Sequence, residues 1–225
     1  MRIGGFTPLS TIDYKNHLSA VIYTQGCNFR CPYCHNWSLV EGKNRPVPQR
    51  EIISLLEERR NFLDGVVITG GEPTIHPDLP ILCHDIKLAG YDIKLDTNGS
   101  NPDMVRLLIE KNYVDYIALD IKAPWRKYKE IAGTAKFTAA VIKTLKLLTQ
   151  TNIPFELRTT VHSKLLSIND IREIIEKIII LLPAKPTFYL QIARETDRFG
   201  EKNQYTAADL KKLKEEFKNL DIKIR

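Results

Sequence analysis

A parallel α/β fold, a partial (β/α)6 barrel, is predicted by three features of the sequence. Six apolar runs rich in β-branched residues recur along 225 residues, helical patterns lie between them, and no linker, repeat or low-complexity stretch divides the chain. Several runs are near-continuous rather than alternating, as strands buried on both faces of a parallel sheet must be. Six units rather than eight leave such a barrel open, and residues 1–225 read as one domain.

The elements follow in order. Leu18–Tyr23 is the first strand run, and the helical pattern Glu51–Phe62 follows Pro48 with apolar residues at Ile52, Leu55, Leu56 and Phe62. After the strand run Val66–Thr69, Asp78–Ala89 places Leu79, Leu82, Cys83 and Ile86 on one stripe and stops before Gly90, a natural residue just past a helix end. Tyr91–Leu95 precedes the helix Pro102–Lys111, and Val114–Leu119 precedes Thr138–Gln150. Phe155–Val161 precedes Asn169–Leu182. Thr187–Ile192 precedes a last helix that starts after Thr206, with Asp209 three positions on and Leu210, Leu213, Phe217 and Leu220 on one side. In such sheets the chemistry gathers at the carboxyl ends of strands, so site residues are expected just after each run.

Composition narrows the class. The chain is 43% hydrophobic and 27% charged, enough for a real core and unlike a disordered tail. The opening MRIGGFTPLS lacks the apolar core of a signal peptide, and the richest run, Ile178–Leu182, falls far short of the ~18 to 20 apolar residues of a membrane span. The net charge of +6 is spread along the chain, and Lys211, Lys212 and Lys214 beside Glu215 and Glu216 read as a solvated helix face. These features point to a cytoplasmic protein with neither nucleic acid nor membrane as partner.

Three of the four cysteines fall within eight positions of TQGCNFRCPYCHNW. Clustered cysteines in an otherwise cysteine-poor chain indicate metal binding or catalysis rather than a disulfide scaffold. The spacing C-x3-C-x2-C, directly after the first strand, suits a [4Fe–4S] cluster held by Cys27, Cys31 and Cys34. Such clusters normally take four thiolates, so three leave one iron open to a small molecule. The alternative is zinc, completed by His35, His76, His84 or Cys83, although no second cysteine pair is present. Cys83 lies on the apolar stripe of its helix and reads as a buried small hydrophobe.

With aromatic Tyr33 before the last cysteine, the motif resembles the signature of the radical S-adenosylmethionine (SAM) enzymes. The resemblance implies that the open iron binds the amino and carboxylate groups of SAM, and that the reduced cluster cleaves SAM to methionine and a 5′-deoxyadenosyl radical. Tyr33 would pack near the adenosyl group. Thr69-Gly70-Gly71-Glu72-Pro73, after the second strand, is similar to the family's GGEP motif. There glycine removes the side-chain barrier, so that backbone carbonyls and Glu72 can accept from the SAM ammonium. Asp96-Thr97-Asn98-Gly99 and Asp120-Ile121-Lys122 follow the next two strands. By resemblance to the glycyl-radical-activating branch, Asn98 belongs to the SAM site and Lys122 pairs with the SAM carboxylate. Asp96, Thr97 and Asp120 are the candidates to hold a monovalent cation, since acids facing a cofactor carboxylate need a positive charge between them. Arg158, inside the fifth strand, needs a partner in any case and is a candidate for the SAM carboxylate or ribose. Gln191 and Arg194 end the sixth strand, where relatives often carry a histidine that this sequence lacks.

The resemblance covers almost the whole chain. His35 and Asn36 after Cys34, with GGFTPLSTIDY and DIKAPWRKYKEIAG, resemble the compact activating proteins of anaerobic ribonucleoside-triphosphate reductase, akin to pyruvate formate-lyase activating enzyme. That resemblance implies abstraction of a glycine α-hydrogen from a glycyl-radical enzyme, with a flavodoxin or ferredoxin as electron donor and a glycine loop entering the open side of the barrel. The span 36–65 and the residues after Cys83 hold no cysteine, which predicts one cluster and no auxiliary-cluster domain. A radical SAM enzyme acting on a nucleotide-like or pterin-like small molecule is the alternative, and a non-enzymatic metal-binding module comes after it.

Overall fold

The computed structural model describes residues 1–180, 182–183, 186–196 and 199–225. They form two compact units, one of Met1–Asn28 with Asn36–Ala118 and one of Phe29–His35 with Leu119–Arg225. Among the described residues all six expected strands are present, along with two the sequence did not announce.

In the first unit, β1 (Ile3–Ser10) runs antiparallel to β2 (Ser19–Thr24), with Ile3 opposite Thr24 and Ser10 opposite Ser19. A short helix α1 (Trp37–Val40) and α2 (Gln49–Glu58) lead to β3 (Gly65–Gly70), which pairs in parallel with β2 from Ser19–Gly65 to Thr24–Gly70. Helix α3 (Leu79–Leu88) leads to β4 (Asp92–Thr97), parallel to β3 from Gly65–Asp92 to Ile68–Leu95. Helix α4 (Pro102–Glu110) begins at an Asn101 side chain that accepts from the Met104 N–H. In β2 and β3 successive residues are buried on both faces, as the near-continuous apolar runs required. Strand β1 escaped prediction because GGFTPL breaks the apolar pattern, and its outer half is part-exposed, as an edge strand tolerates. Helix α2 stops at Glu58 rather than reaching Phe62, and Phe62 is 55% exposed. The chain turns there, with the Phe62 N–H donating to the Arg59 carbonyl.

Strand β5 (Tyr116–Asp120) carries the chain from the first unit into the second. The second unit continues through α5 (Tyr128–Ile131), α6 (Thr138–Thr149), β6 (Phe155–Val161), α7 (Ile168–Ile174), β7 (Thr187–Ile192), α8 (Ala207–Glu216) and β8 (Ile222–Ile224). Strands β6, β7 and β8 are parallel, with Arg158 opposite Tyr189 and Leu190 opposite Ile224. The three-residue β8 is too short to leave a periodic signal. The expected helix Asn169–Leu182 is α-helical only to Ile174 and widens into a π turn over Ile175–Ile179. Its later part includes residue 181, which lies outside the described residues. The last helix starts where Thr206 and Asp209 said it would, with both halves of the capping box formed. Among the described residues no helix is long and apolar enough to cross a membrane.

Helix α7 is anchored by Asp170, whose carboxylate is 3% exposed. It accepts from Arg126 at 2.5 Å, Lys127 at 2.9 Å and both the N–H and hydroxyl of Ser167 at 2.8 Å. Burial alone would raise its pKa, but Lys127, Ser167 and Arg126 outweigh it and hold the carboxyl at about 2, against an ordinary 3.8. A carboxyl depressed in the folded state stabilises fully above its unfolded value and loses that stabilisation as pH falls. Asp170→Asn should cost about 2 kcal/mol in urea unfolding at neutral pH. The gap to the parent should close between about pH 4 and pH 2. A gap unchanged at pH 2 would show that shape rather than charge matters at this position.

Candidate functional site

The ends of β2 and β3 meet in the first unit through very close backbone approach. The Gly71 N–H donates to the Thr24 carbonyl at 2.8 Å, and the Glu72 N–H donates to the Gly26 carbonyl at 2.8 Å. This zipper explains the glycine pair. Gly70 has φ +112°, and a Cβ on Gly71 would stand 1.9 Å from the Gly26 oxygen.

Glu72 is the junction of this region. Only 1% exposed, it accepts from the Thr74 N–H (3.1 Å), the Thr74 hydroxyl (2.6 Å), the Thr97 hydroxyl (2.7 Å) and the Asn98 N–H (2.7 Å). Burial pushes its pKa up, and these donors pull against that rise. The sequence reading offered Glu72 to the SAM ammonium. The structure also gives the carboxylate an internal task, which is to tie the β3 and β4 turns together.

Asn98 then reaches the cysteine segment. Its amide donates to Asn28 Oδ1 at 2.9 Å and lies 3.9 Å from Cys27 Sγ, while its own oxygen accepts from the Ser100 N–H. Asn28 in turn donates to the Ser100 hydroxyl at 2.7 Å. An amide directed at a cysteine sulfur suits a thiolate that carries charge as an iron ligand. Asn28 and Ser100 were absent from the sequence reading. Their signal is their place, one residue after Cys27 and one after the TNG turn.

The second unit holds the other cysteines. Cys31 is buried and Cys34 half-buried, joined by a turn in which the Cys34 N–H donates to the Cys31 carbonyl. Lys122 Nζ donates to Asp120 Oδ2 at 2.8 Å, and the Lys122 N–H donates to the Tyr128 hydroxyl oxygen at 3.2 Å. Burial pulls the Lys122 pKa down, but Asp120, Tyr33 and Cys31 raise it further, so the ammonium stays charged. Burial pushes the Cys31 thiol up, opposed by the Lys122 charge. Tyr33 is 5% exposed, and its buried hydroxyl is set toward the Cys31 sulfur, whose anionic form it favours. That hydroxyl lies in the field of Cys31 and Lys122. A thiolate with an ammonium and a tyrosine hydroxyl beside it fits an iron–sulfur cluster with an anionic ligand.

The remaining candidates sit on β6, β7, α3 and beside Cys34. Arg158 is held by Glu156 at 2.6 Å, and Arg225 shares that carboxylate at 3.1 Å while stacking on Tyr189. The partner an arginine in mid-strand needs is therefore found two residues away on its own strand. Gln191 is half-buried beside Thr160 near the end of β7, and Arg194 is exposed beyond it. His35 is exposed, its pKa lowered by burial of the ring and by Arg194. Cys83 is fully buried on α3, its thiol pushed up to about 12, and behaves as a core side chain.

Comparison with known proteins adds five findings. The Radical SAM superfamily model matches residues 21–178. A Methanocaldococcus jannaschii protein named for glycyl-radical enzyme activation is 35% identical over 181 residues, 78% of this chain and 75% of its own length. A 7-carboxy-7-deazaguanine synthase of Aquifex aeolicus is 37% identical over 83 residues, 36% of each chain. Among solved structures, Streptococcus suis SuiB bound to S-adenosylmethionine superposes with TM-score 0.71 at 20% identity, covering 91% of this chain and 49% of SuiB. The chain thus spans about half of that structure. A domain of pyruvate-formate lyase-activating enzyme from Bacteroides vulgatus superposes with TM-score 0.59 at 15% identity, covering 72% of this chain and 99% of the domain. The α/β fold with parallel strands is common to them.

The glycine zipper is directly testable. Gly71→Ala should cost about 3 kcal/mol or more, or prevent folding, because the obstacle is backbone. Gly90→Ala, at φ +90° with open space around it, should cost only about 1 kcal/mol in the same urea titration. Equal costs would mean that the β2 and β3 ends can separate freely.

Proposed function

The chain belongs to the radical SAM superfamily, and we propose that it activates a glycyl-radical enzyme by removing an α-hydrogen from a glycine of that partner. The observation that carries this reading is the relative of similar length, 35% identical over most of the chain and named for that activity. The CHN continuation after Cys34 supports it. Anaerobic ribonucleoside-triphosphate reductase is the target that the sequence resemblance favours, with a flavodoxin or ferredoxin supplying the electron.

The residues divide the work. Cys27, Cys31 and Cys34 hold the [4Fe–4S] cluster, and Asn98 steadies the Cys27 sulfur. When bound, the cluster supplies an electron and SAM supplies the 5′-deoxyadenosyl radical that takes the glycine hydrogen. The Gly70–Gly71 backbone, at a turn with no room for side chains, presents carbonyls to the SAM ammonium together with Glu72. Lys122, oriented by Asp120, offers its charge to the SAM carboxylate. Asp96, Thr97 and Asp120 set the charge around that carboxylate, with a positive charge at Asp96 to prevent repulsion. Tyr33 packs near the adenosyl group, and Arg158 and Gln191 border the site from the later strands.

A small nucleotide-like or pterin-like substrate is the second reading, favoured by the partial match to 7-carboxy-7-deazaguanine synthase. Anaerobic reconstitution should give about four irons per chain and reductant-dependent release of 5′-deoxyadenosine. Mixed with a glycyl-radical enzyme, the protein should generate the doublet of a glycyl radical in electron paramagnetic resonance. SAM cleavage with no doublet would turn the assignment toward a small molecule. One zinc per chain with no cleavage would sink both. Alanine at any one of Cys27, Cys31 or Cys34 should abolish the cluster, and a dispensable member would overturn the ligand set. Lys122→Met should weaken SAM binding about tenfold with iron content unchanged; loss of iron instead would make Lys122 structural.

A further inference from the structure

The positive charge at Asp96 has a source inside the protein. Lys94 stands two residues before Asp96 on β4, so both side chains leave the same face of the strand. The parallel register sets Lys94 in a row with Val21 and Val67, the residues that pack with Tyr14 in the core. Its side chain is 3% exposed. An ammonium placed in such a row must be held by acceptors and by opposite charge.

Those groups are present. Lys94 Nζ donates to the Asp13 carbonyl at 2.5 Å and lies 5.9 Å and 5.6 Å from the ring centres of Tyr14 and Tyr116. It stands 4.0 Å from Asp96 Oδ1. The carbonyl and the rings orient the ammonium, and Asp96 answers its charge. Thr97 is expected beside Asp96 as a cation ligand through one of its oxygens, and its hydroxyl is committed elsewhere. It donates to Glu72 at 2.7 Å and accepts from the Gly99 N–H at 3.1 Å. That engagement turns the hydroxyl toward Glu72 and Gly99, and the positive charge found beside Asp96 Oδ1 is the Lys94 ammonium.

We propose that the Lys94 ammonium is the built-in counter-charge of Asp96 and takes the place of an exchangeable monovalent cation. Lys94 is then a positioning residue for SAM, acting through Asp96, and the inference rests on the proposed role of Asp96 at the SAM carboxylate. A tethered charge is present at every turnover. SAM binding should therefore be indifferent to which monovalent cation the solution contains.

Equilibrium SAM binding to the reconstituted protein in potassium, sodium and choline chloride, at equal ionic strength, tests this. The parent's Kd should stay within about twofold across the three salts. Lys94→Met keeps the length and apolar packing of the stem but removes the charge. It should bind SAM about tenfold more weakly in choline and recover in potassium or sodium, where a small ion can enter. A parent about tenfold weaker in choline than in potassium overturns the proposal. So does a Lys94→Met protein that binds like the parent in every salt. The comparison on the parent needs no substitution and holds even if Lys94→Met does not fold. Absence of SAM binding by the parent in all three salts would instead overturn the reading of the site, and this inference with it.

Discussion

The buried carboxylate of Glu72 is the constraint on which the first unit's functional end depends. Four donors converge on it from two different strand ends. A carboxylate taken out of water so completely is tolerable only while those donors are in place, because an uncompensated charge in that position costs several kcal/mol. The constraint therefore acts in both directions. Glu72 fixes Thr97 and Asn98, and they in turn keep Glu72 satisfied. From Asn98 the same network continues to Asn28 and to the sulfur of Cys27.

The backbone makes this possible. Gly71 comes so near the Gly26 carbonyl that no Cβ could be accommodated, and the peptide N–H groups of Gly71 and Glu72 bond directly to the segment leading to Cys27. A motif that looks like a cofactor-binding turn is thus also a structural clamp. Its glycines serve the approach of two strand ends as well as any approach of a ligand. A change that opened this clamp would disturb the cysteine segment without touching a cysteine.

The second unit uses a different device. Here charge is placed next to soft ligands: Lys122, locked by Asp120, lies in the field of Cys31 and Tyr33. The ammonium keeps its proton because the anionic groups around it outweigh the desolvation cost. The same logic holds Asp170 ionised at the start of α7, where it is purely architectural. Perturbed ionisation marks both places, and only the neighbouring cysteines distinguish the functional one.

By itself the sequence determined the six strands, the placement of motifs at their carboxyl ends, and the spacing of the three cysteines. These are local signals: unbroken β-branched runs, glycine pairs and fixed spacings. It also singled out Cys83 as a core residue and Thr206 with Asp209 as a helix start. The edge strand β1 and the three-residue β8 left no periodic trace, and the π turn after Ile174 is invisible to a pattern of apolar residues. Only the tertiary structure decided who partners whom. Arg158 is claimed by Glu156, Glu72 by its ring of donors, and Lys94 is carried to Asp96 and the two tyrosines. Such partnerships join residues whose separation in the chain carries no information. A buried charge is stabilised by whatever the packed sheet brings beside it, and register alone determines that.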